Sequence, residues 1–181
     1  MTSDVVSEHS PGTRVATVDD LGELVRLAGL AREHIATLKG GSVFLARDAR
    51  PSAPERSLQT DLDRPDGLVL LGLLGETPVG YSVGRIESLP DGRLAVITDL
   101  FVEVDARGVG VGERLMAAMV EWATRHDCTG IDALTLPGDR DTKNFFEGFG
   151  LVARAITVHR VIDDIEAAGS ADIGDAPDVG A

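Results

Sequence analysis

One segment near the middle of the chain constrains the fold more than any other, because it joins a strand, a glycine-rich turn and a helix without a gap. Residues 99–104 read Asp-Leu-Phe-Val-Glu-Val, which is typical of a strand, and residues 107–112 read Arg-Gly-Val-Gly-Val-Gly. Residues 113–122 then place apolar side chains at helical spacing. Glycines let the backbone approach a ligand closely, and the first N–H groups of a helix are unpaired donors. The segment therefore predicts a phosphate site at a strand-to-helix turn.

Two common phosphate-binding motifs do not fit this turn. A P-loop requires Lys and then Ser or Thr directly after its last glycine, and no Lys stands nearby. A dinucleotide fingerprint requires a third glycine three residues after the second, where this chain has Glu113 or Leu115, depending on the starting glycine. A glycine-rich turn that binds no ligand remains the structural alternative.

The motif that does stand here is Arg-x-x-Gly-x-Gly, formed by Arg107, Gly110 and Gly112. It resembles the acyl-CoA pyrophosphate motif of the GNAT superfamily of N-acetyltransferases, and Leu100-Phe101-Val102 matches the strand that precedes that motif. The resemblance implies that this loop holds the pyrophosphate and that backbone groups of Val102 and Val104 hold the pantetheine arm. The candidate residues for binding acetyl-CoA are Leu100, Phe101, Val102, Val104, Arg107, Gly108, Val109, Gly110, Val111, Gly112, Glu113 and Phe145.

Composition and charge exclude several classes of protein. The 181 residues are 43% hydrophobic, which is enough for a packed domain, and carry a formal charge of −13. Six acidic residues follow Arg160 and two precede Arg14, so we expect disordered tails at 1–13 and 163–181 around a domain at 14–162. The acidity argues against a nucleic-acid partner and mildly favours a cationic substrate.

The remaining counts predict a soluble, metal-free protein. The single cysteine, Cys128, and four scattered histidines offer no metal-ligand spacing, so no metal is expected. The first residues lack the pattern of a secretory signal, and no apolar run approaches the about 18 residues of a membrane span. We therefore expect a cytoplasmic protein without a membrane partner.

The order of patterns along the chain predicts an α+β fold. Strands are predicted at 14–17, 68–74, 78–87, 94–102, 131–135 and 153–162, and helices begin near residues 19, 55, 113 and 141. This order matches the GNAT fold: a mixed, mostly antiparallel sheet of about six to seven strands flanked by about four helices. Residues 42–62 give the weakest pattern, because Pro51 and Pro54 interrupt them.

A second segment, residues 139–151, resembles the last motif of the same family. Phe145 and Gly150 match that motif, and Phe145 is expected to pack near the CoA arm. Phe146 stands where many members have the tyrosine that returns a proton to the CoA thiolate, and a phenyl ring has no proton to give. The one tyrosine of the chain is Tyr81, on a different predicted strand.

Two carboxylates are candidates for the catalytic base. In polyamine-type members a Glu-Asp pair precedes the strand end, and this chain has Thr98-Asp99 there. Strand alternation puts Thr98 and Asp99 on opposite faces, so a purely local role of Asp99 stands beside the catalytic one. Glu87, at the end of the preceding strand, is the second candidate.

The predicted activity is N-acetyl transfer from acetyl-CoA to a primary amine, by direct attack in a ternary complex. Positioning accounts for much of the acceleration in such a reaction, so the absence of the usual acid does not exclude catalysis. The alternative is a CoA-binding module or sensor with little or no transfer. The acceptor is not encoded in a recognisable motif, and a homodimer is a further expectation from the resemblance.

Overall fold

The computed structural model describes residues 10–160 and 162, and within them one sheet and its helices form the domain. Strands β1 to β5 are Pro11–Val15, Gly67–Leu74, Thr77–Leu89, Gly92–Val102 and Gly130–Ala133. Helices α1 to α5 are Leu21–Ala36, Gly41–Arg47, Glu55–Leu62, Val111–Arg125 and Arg140–Gly148. No helix among these residues is long and apolar enough to span a membrane.

The sheet is mixed and mostly antiparallel, as predicted. Its strand order is β1-β2-β3-β4-β5, with antiparallel neighbours from β1 to β4 and a parallel pair at β4–β5. Each face carries its own apolar core. Helices α1 and α3 supply Leu24, Leu27 and Leu58 to one core, and α4 supplies Leu115 and Met119 to the other. The predicted two-sided burial of residues 68–74 follows from this layering.

A β-bulge in β4 decides which way its second half faces. Val83 of β3 pairs with Asp99, and the next residue, Gly84, pairs with Ile97, so Thr98 is an extra residue in β4. Before the bulge, Ile97 belongs to the core under α4; after it, Phe101 belongs to the core under α1. An extra residue reverses the alternation of a strand, so Asp99 lies on the α1 face and not under α4.

Strands β4 and β5 diverge after a short parallel pairing. Their ladder joins residues 94–97 to residues 130–133, but β4 continues to Val102 while the chain leaves β5 at Leu134. Among the described residues, the edge of β4 at residues 98–102 therefore has no strand partner on the β5 side, so its backbone groups there are not used in a ladder.

The prediction of six to seven strands is wrong, because residues 153–160 form no strand in the structure. Val152, Ile156, Val158 and Ile162 are 71–90% exposed, and Arg154 meets β5 through an ion pair with Asp132. Alternating β-branched residues favour a strand only when a ladder partner and a buried face are present. Here neither is formed within the described residues.

The structure also corrects the N-terminal elements. Strand β1 begins at Pro11, three residues before the predicted start, and five helices replace the predicted four. The additional helix is α2, which follows a Gly40 with φ of +82°, a backbone conformation that reverses the chain after α1. Of the two predicted tails, only residues 10–13 are among the described residues, and β1 begins there at Pro11.

Candidate active site

A cleft of about 300 Å³ opens where β4 and β5 diverge. One wall is the unpaired edge of β4, and the opposite wall is the chain between β5 and α5 at residues 134–136. The first turn of α4 closes one end, and α1, α2 and the loop after α2 form the other side. The cleft thus joins a free strand edge to a helix N-terminus, two features that bind amides and anions respectively.

The N-terminus of α4 presents unpaired amides to this cleft. Gly110 precedes the helix with φ of +98°, which L side chains rarely adopt, and the first helical bond runs from the Arg114 N–H to the Gly110 carbonyl at 3.1 Å. A side chain on Gly112 would stand 3.4 Å from Phe145 and 3.8 Å from Val102. The glycine therefore keeps open the space between β4, α4 and α5.

Arg107 lies folded against the end of β4. Its Nε donates to the Val102 carbonyl at 3.0 Å, and its guanidinium carbon lies 5.8 Å from the centre of the Phe101 ring. Both contacts hold the side chain inside the cleft beside the amides of α4. The two Nη groups carry the remaining donors of a fully charged guanidinium, which suits a phosphate oxygen.

The α1 side of the cleft contains a buried polar cluster centred on Asp99. Arg50 donates to Asp99 twice, from Nε to Oδ1 at 3.1 Å and from Nη2 to Oδ2 at 2.6 Å. The Tyr81 hydroxyl donates to Oδ1 at 2.9 Å, and the Thr98 hydroxyl donates to Oδ2 at 2.9 Å. The four donors match the about four lone-pair sites of a carboxylate. Arg50 also pairs with Asp61 at 2.7 Å, which lies behind the cluster.

Burial and charge shift the pKa values of two members of this cluster. Burial raises the pKa of Tyr81 well above its usual range, and the charge and hydrogen bond of Asp99 raise it further, so the phenol stays protonated. Burial alone lowers the pKa of Arg50, but the hydrogen bonds and charges of Asp99 and Asp61 together outweigh it, and the net pKa rises. The cluster is therefore a stable arrangement of charged Arg50 and neutral Tyr81 around a carboxylate.

The cleft brings together most of the sites predicted from the sequence. The predicted residues that line it are Asp99, Leu100, Phe101, Val102, Arg107, Gly108, Gly112, Glu113 and Phe145. Thr98 and Asp99 both line it, contrary to simple alternation, because of the bulge. Gly110 caps α4, Val111 is buried beneath the helix, and Val109 is 47% exposed.

Two predicted site residues, Val104 and Glu87, do not line the cleft. Val104 is 61% exposed in a single helical turn and borders a separate depression with Leu30 and Glu33. Glu87 is not among the residues that line the cleft; it pairs with Arg85 at 2.7 Å, six residues along β3 from Tyr81. Phe146 is 6% exposed in the core under α4, so the ring that faces the cleft is that of Phe145.

The sequence patterns gave no signal for the rest of the cleft. Arg32, His34, Phe44 and Arg50 line it, and all come from residues 30–62, which contain no recognisable motif. The hydroxyl of Thr135, also in the lining, is buried without a hydrogen-bond partner among the described residues. Only the tertiary fold brings these side chains into one cleft, and among them Arg50 bonds to Asp99.

Comparison with known proteins identifies the family. The family model "Acetyltransferase (GNAT) family" matches residues 40–151, which is more than half of the chain. The chain belongs to the GNAT acetyltransferase family, and is an acyltransferase of the N-acetyltransferase type. A comparison with curated proteins finds no match.

Solved structures with low sequence identity share the fold. A tetramutant of the BH1408 protein from Bacillus halodurans is 23% identical with a TM-score of 0.71, covering 83% of this chain and 99% of that chain. AAC(6')-Iy in complex with a bisubstrate analog is 15% identical with a TM-score of 0.64, covering 83% and 97%. The aminoglycoside acetyltransferase meta-AAC0020, from an uncultured soil metagenomic sample and in complex with sisomicin, is 19% identical with a TM-score of 0.63, covering 83% and 94%.

Proposed function

We propose that the protein transfers the acetyl group of acetyl-CoA to a primary amine by direct attack. The single observation that carries the proposal is the free edge of β4 beside the N-terminus of α4. The edge offers backbone groups to the amides of pantetheine, and the helix amides with Arg107 offer donors to the pyrophosphate. AAC(6')-Iy, which shares the fold, has been solved with CoA.

In the proposed reaction, the amine nitrogen attacks the thioester carbon and the carbon–sulfur bond breaks. The leaving group is a thiolate, which needs little help, and alignment of the two reactants supplies much of the acceleration. Backbone N–H groups at the end of β4 are the candidates for polarising the thioester carbonyl. The proton lost by the amine passes to Asp99 and then to water or to the thiolate, so charge and atoms balance.

Asp99 supports this role better than Glu87, because it lines the cleft. Its four lone-pair sites are occupied, so an incoming amine must replace one donor. Thr98 is the donor that is easiest to replace, because its hydroxyl also lies 3.3 Å from a second acceptor, the Val83 carbonyl. The amine would then donate to Oδ2 while Arg50 and Tyr81 keep the carboxylate in place.

The alternative is a CoA-binding module that transfers poorly. The observation in its favour is that the cleft has no hydroxyl at the position of the usual acid, since Phe146 is buried and Phe145 faces the cleft. Calorimetry with acetyl-CoA and release of CoA thiol over a panel of amines separate the two. Thiol release that depends on an amine supports the enzyme; tight binding without turnover on any amine supports the module.

A further inference from the structure

The α1 side of the cleft is mostly apolar around the Asp99 cluster. The residues with apolar side chains that line it are Ala28, Ala31, Ile35, Leu38, Phe44 and Ala49. This wall lies on the same side of the cleft as Asp99, which we propose accepts the proton of the attacking amine. An acceptor seated here buries hydrocarbon against α1 and α2 while its nitrogen reaches Asp99.

Arg32 adds a positive charge to this apolar wall. It is partly buried, it lines the cleft, and its Nη1 donates to the backbone carbonyl of Arg50. Within residues 10–160 no carboxylate forms an ion pair with Arg32, whereas Arg50 is held by Asp99 and Asp61. A partly buried guanidinium without a counterion is costly, and its planar fork fits a carboxylate.

The same wall is poorly suited to a polycation. Several ammonium groups need several uncommitted carboxylates on the α1 side, but Asp99 is already bonded to Arg50. Glu113 and Asp141 also line the cleft, but they belong to α4 and α5 and not to this wall. The carboxylate of Asp139 accepts from the amide and hydroxyl of Thr142 at 3.0 and 2.6 Å. Arg32 and Arg50 add two positive charges on the acceptor side, so a polycationic acceptor would gain little there.

From this arrangement we infer that the acceptor is a small amine that carries a carboxylate and an apolar side chain, as an amino acid does. Arg32 binds the carboxylate, the wall around Ile35 and Phe44 binds the side chain, and the amine meets Asp99. The acceptor must be small, because the cleft measures about 300 Å³ and also has to hold the acetylated arm of the donor. The inference rests on the proposed function and specifies its acceptor.

Matched pairs of amines test the inference. Leucine and 3-methylbutylamine, or phenylalanine and 2-phenylethylamine, differ only in the carboxylate, and sisomicin serves as the polycation. CoA thiol release is measured for the wild type, Arg32→Gln and the exposed control Arg56→Gln on α3. Binding of the same compounds to the protein–CoA complex is measured by calorimetry. Comparing ratios between variants cancels the different basicity of the amines.

We expect kcat/KM for each amino acid to exceed that of its decarboxylated partner by about tenfold or more. Arg32→Gln reduces that ratio towards one through KM, and Arg56→Gln leaves it unchanged. If the ratio of kcat/KM between amino acid and decarboxylated partner is the same in wild type and Arg32→Gln, the inference is overturned. A higher kcat/KM for sisomicin, or for the analogue with a phosphonate in place of the carboxylate, than for the amino acid also overturns it. Normal acetyl-CoA binding without turnover of any amino acid also overturns it. Failure to bind acetyl-CoA contradicts the proposed function instead.

Discussion

Arg50 and Asp99 form a two-pronged ion pair inside the cleft, at 3.1 and 2.6 Å, although 49 residues separate them in the chain. Their side chains are only 9% and 12% exposed. The pair attaches the loop after α2 to the bulged half of β4. The α1 side of the cleft is therefore held together by charges that are largely removed from water.

Breaking this pair should be costly for the fold. We expect Arg50→Gln to lower the free energy of unfolding by about 3 kcal/mol, because it leaves the largely buried Asp99 without a cation. Asp99→Asn should lower it less, by about 1–2 kcal/mol, because Arg50 keeps its ion pair with Asp61. The double variant should cost less than the sum, by about 1 kcal/mol or more. Urea denaturation measures all three. The control is Lys143→Ala, which breaks an ion pair that is about half exposed and should cost less than about 0.5 kcal/mol. If the loss in the double variant equals the sum of the two single losses, Arg50 and Asp99 do not stabilise each other and the prediction is contradicted.

A methyl group on Gly112 should block the donor without harming the fold. Gly112 is the second residue of α4, and an added Cβ reaches the space between Phe145 and Val102. We expect Gly112→Ala to raise the Kd for acetyl-CoA by about tenfold, or about 1.4 kcal/mol. Gly22→Ala is a matched control, because Gly22 is the second residue of α1 and has open space around it. An unchanged Kd in Gly112→Ala would place the donor elsewhere.

Removing the charge of Arg107 should weaken the donor's binding. The expected increase in Kd for Arg107→Ala is about tenfold or more, since hydrogen bonds to charged groups contribute about 1.5–3 kcal/mol. Arg114→Ala, in an exposed position three residues into α4, should leave the Kd unchanged. Calorimetry at two salt concentrations gives a further check. Added salt should weaken binding to the wild type more than to Arg107→Ala; equal salt dependence would argue against a phosphate contact.

Tyr81 should make the protein lose stability at alkaline pH. The pKa of Tyr81 is raised in the folded state above its unfolded value of about 10. Its contribution is therefore complete below about pH 10 and is lost as the pH rises towards the folded value. Urea unfolding between about pH 8 and about pH 11 should show a steeper loss in the wild type than in Tyr81→Phe. Tyr81 is the only tyrosine, so no other phenol contributes to the difference. Parallel curves would contradict the shift.

Local features of the fold follow from the sequence alone. Neighbouring residues encode the strand, glycine turn and helix at residues 94–125. Apolar alternation predicts the strand, a glycine at position 110 allows the positive φ of the turn, and apolar residues at helical spacing predict the helix. The same is true of α5, where the Asp139 side chain caps the helix at the Thr142 amide. Such signals can be recognised because each acts within a few residues. The strand predicted at residues 153–162 is not formed at residues 153–160, because a strand requires a partner strand and local sequence does not supply one.

The features at the N-terminus of α4, namely the helix start, the glycines beside it and Arg107, can be predicted from the sequence alone. The arrangement on the α1 side of the cleft follows only from the tertiary fold. One extra residue at Thr98 turns Asp99 from the α4 face to the α1 face, where Tyr81 and Arg50 hydrogen-bond to it. A period-two sequence pattern does not reveal a bulge, and Tyr81 and Arg50 lie 18 and 49 positions from Asp99 in the chain. The physical reason is that backbone turns are set by near neighbours, whereas buried charges are paired across the whole fold.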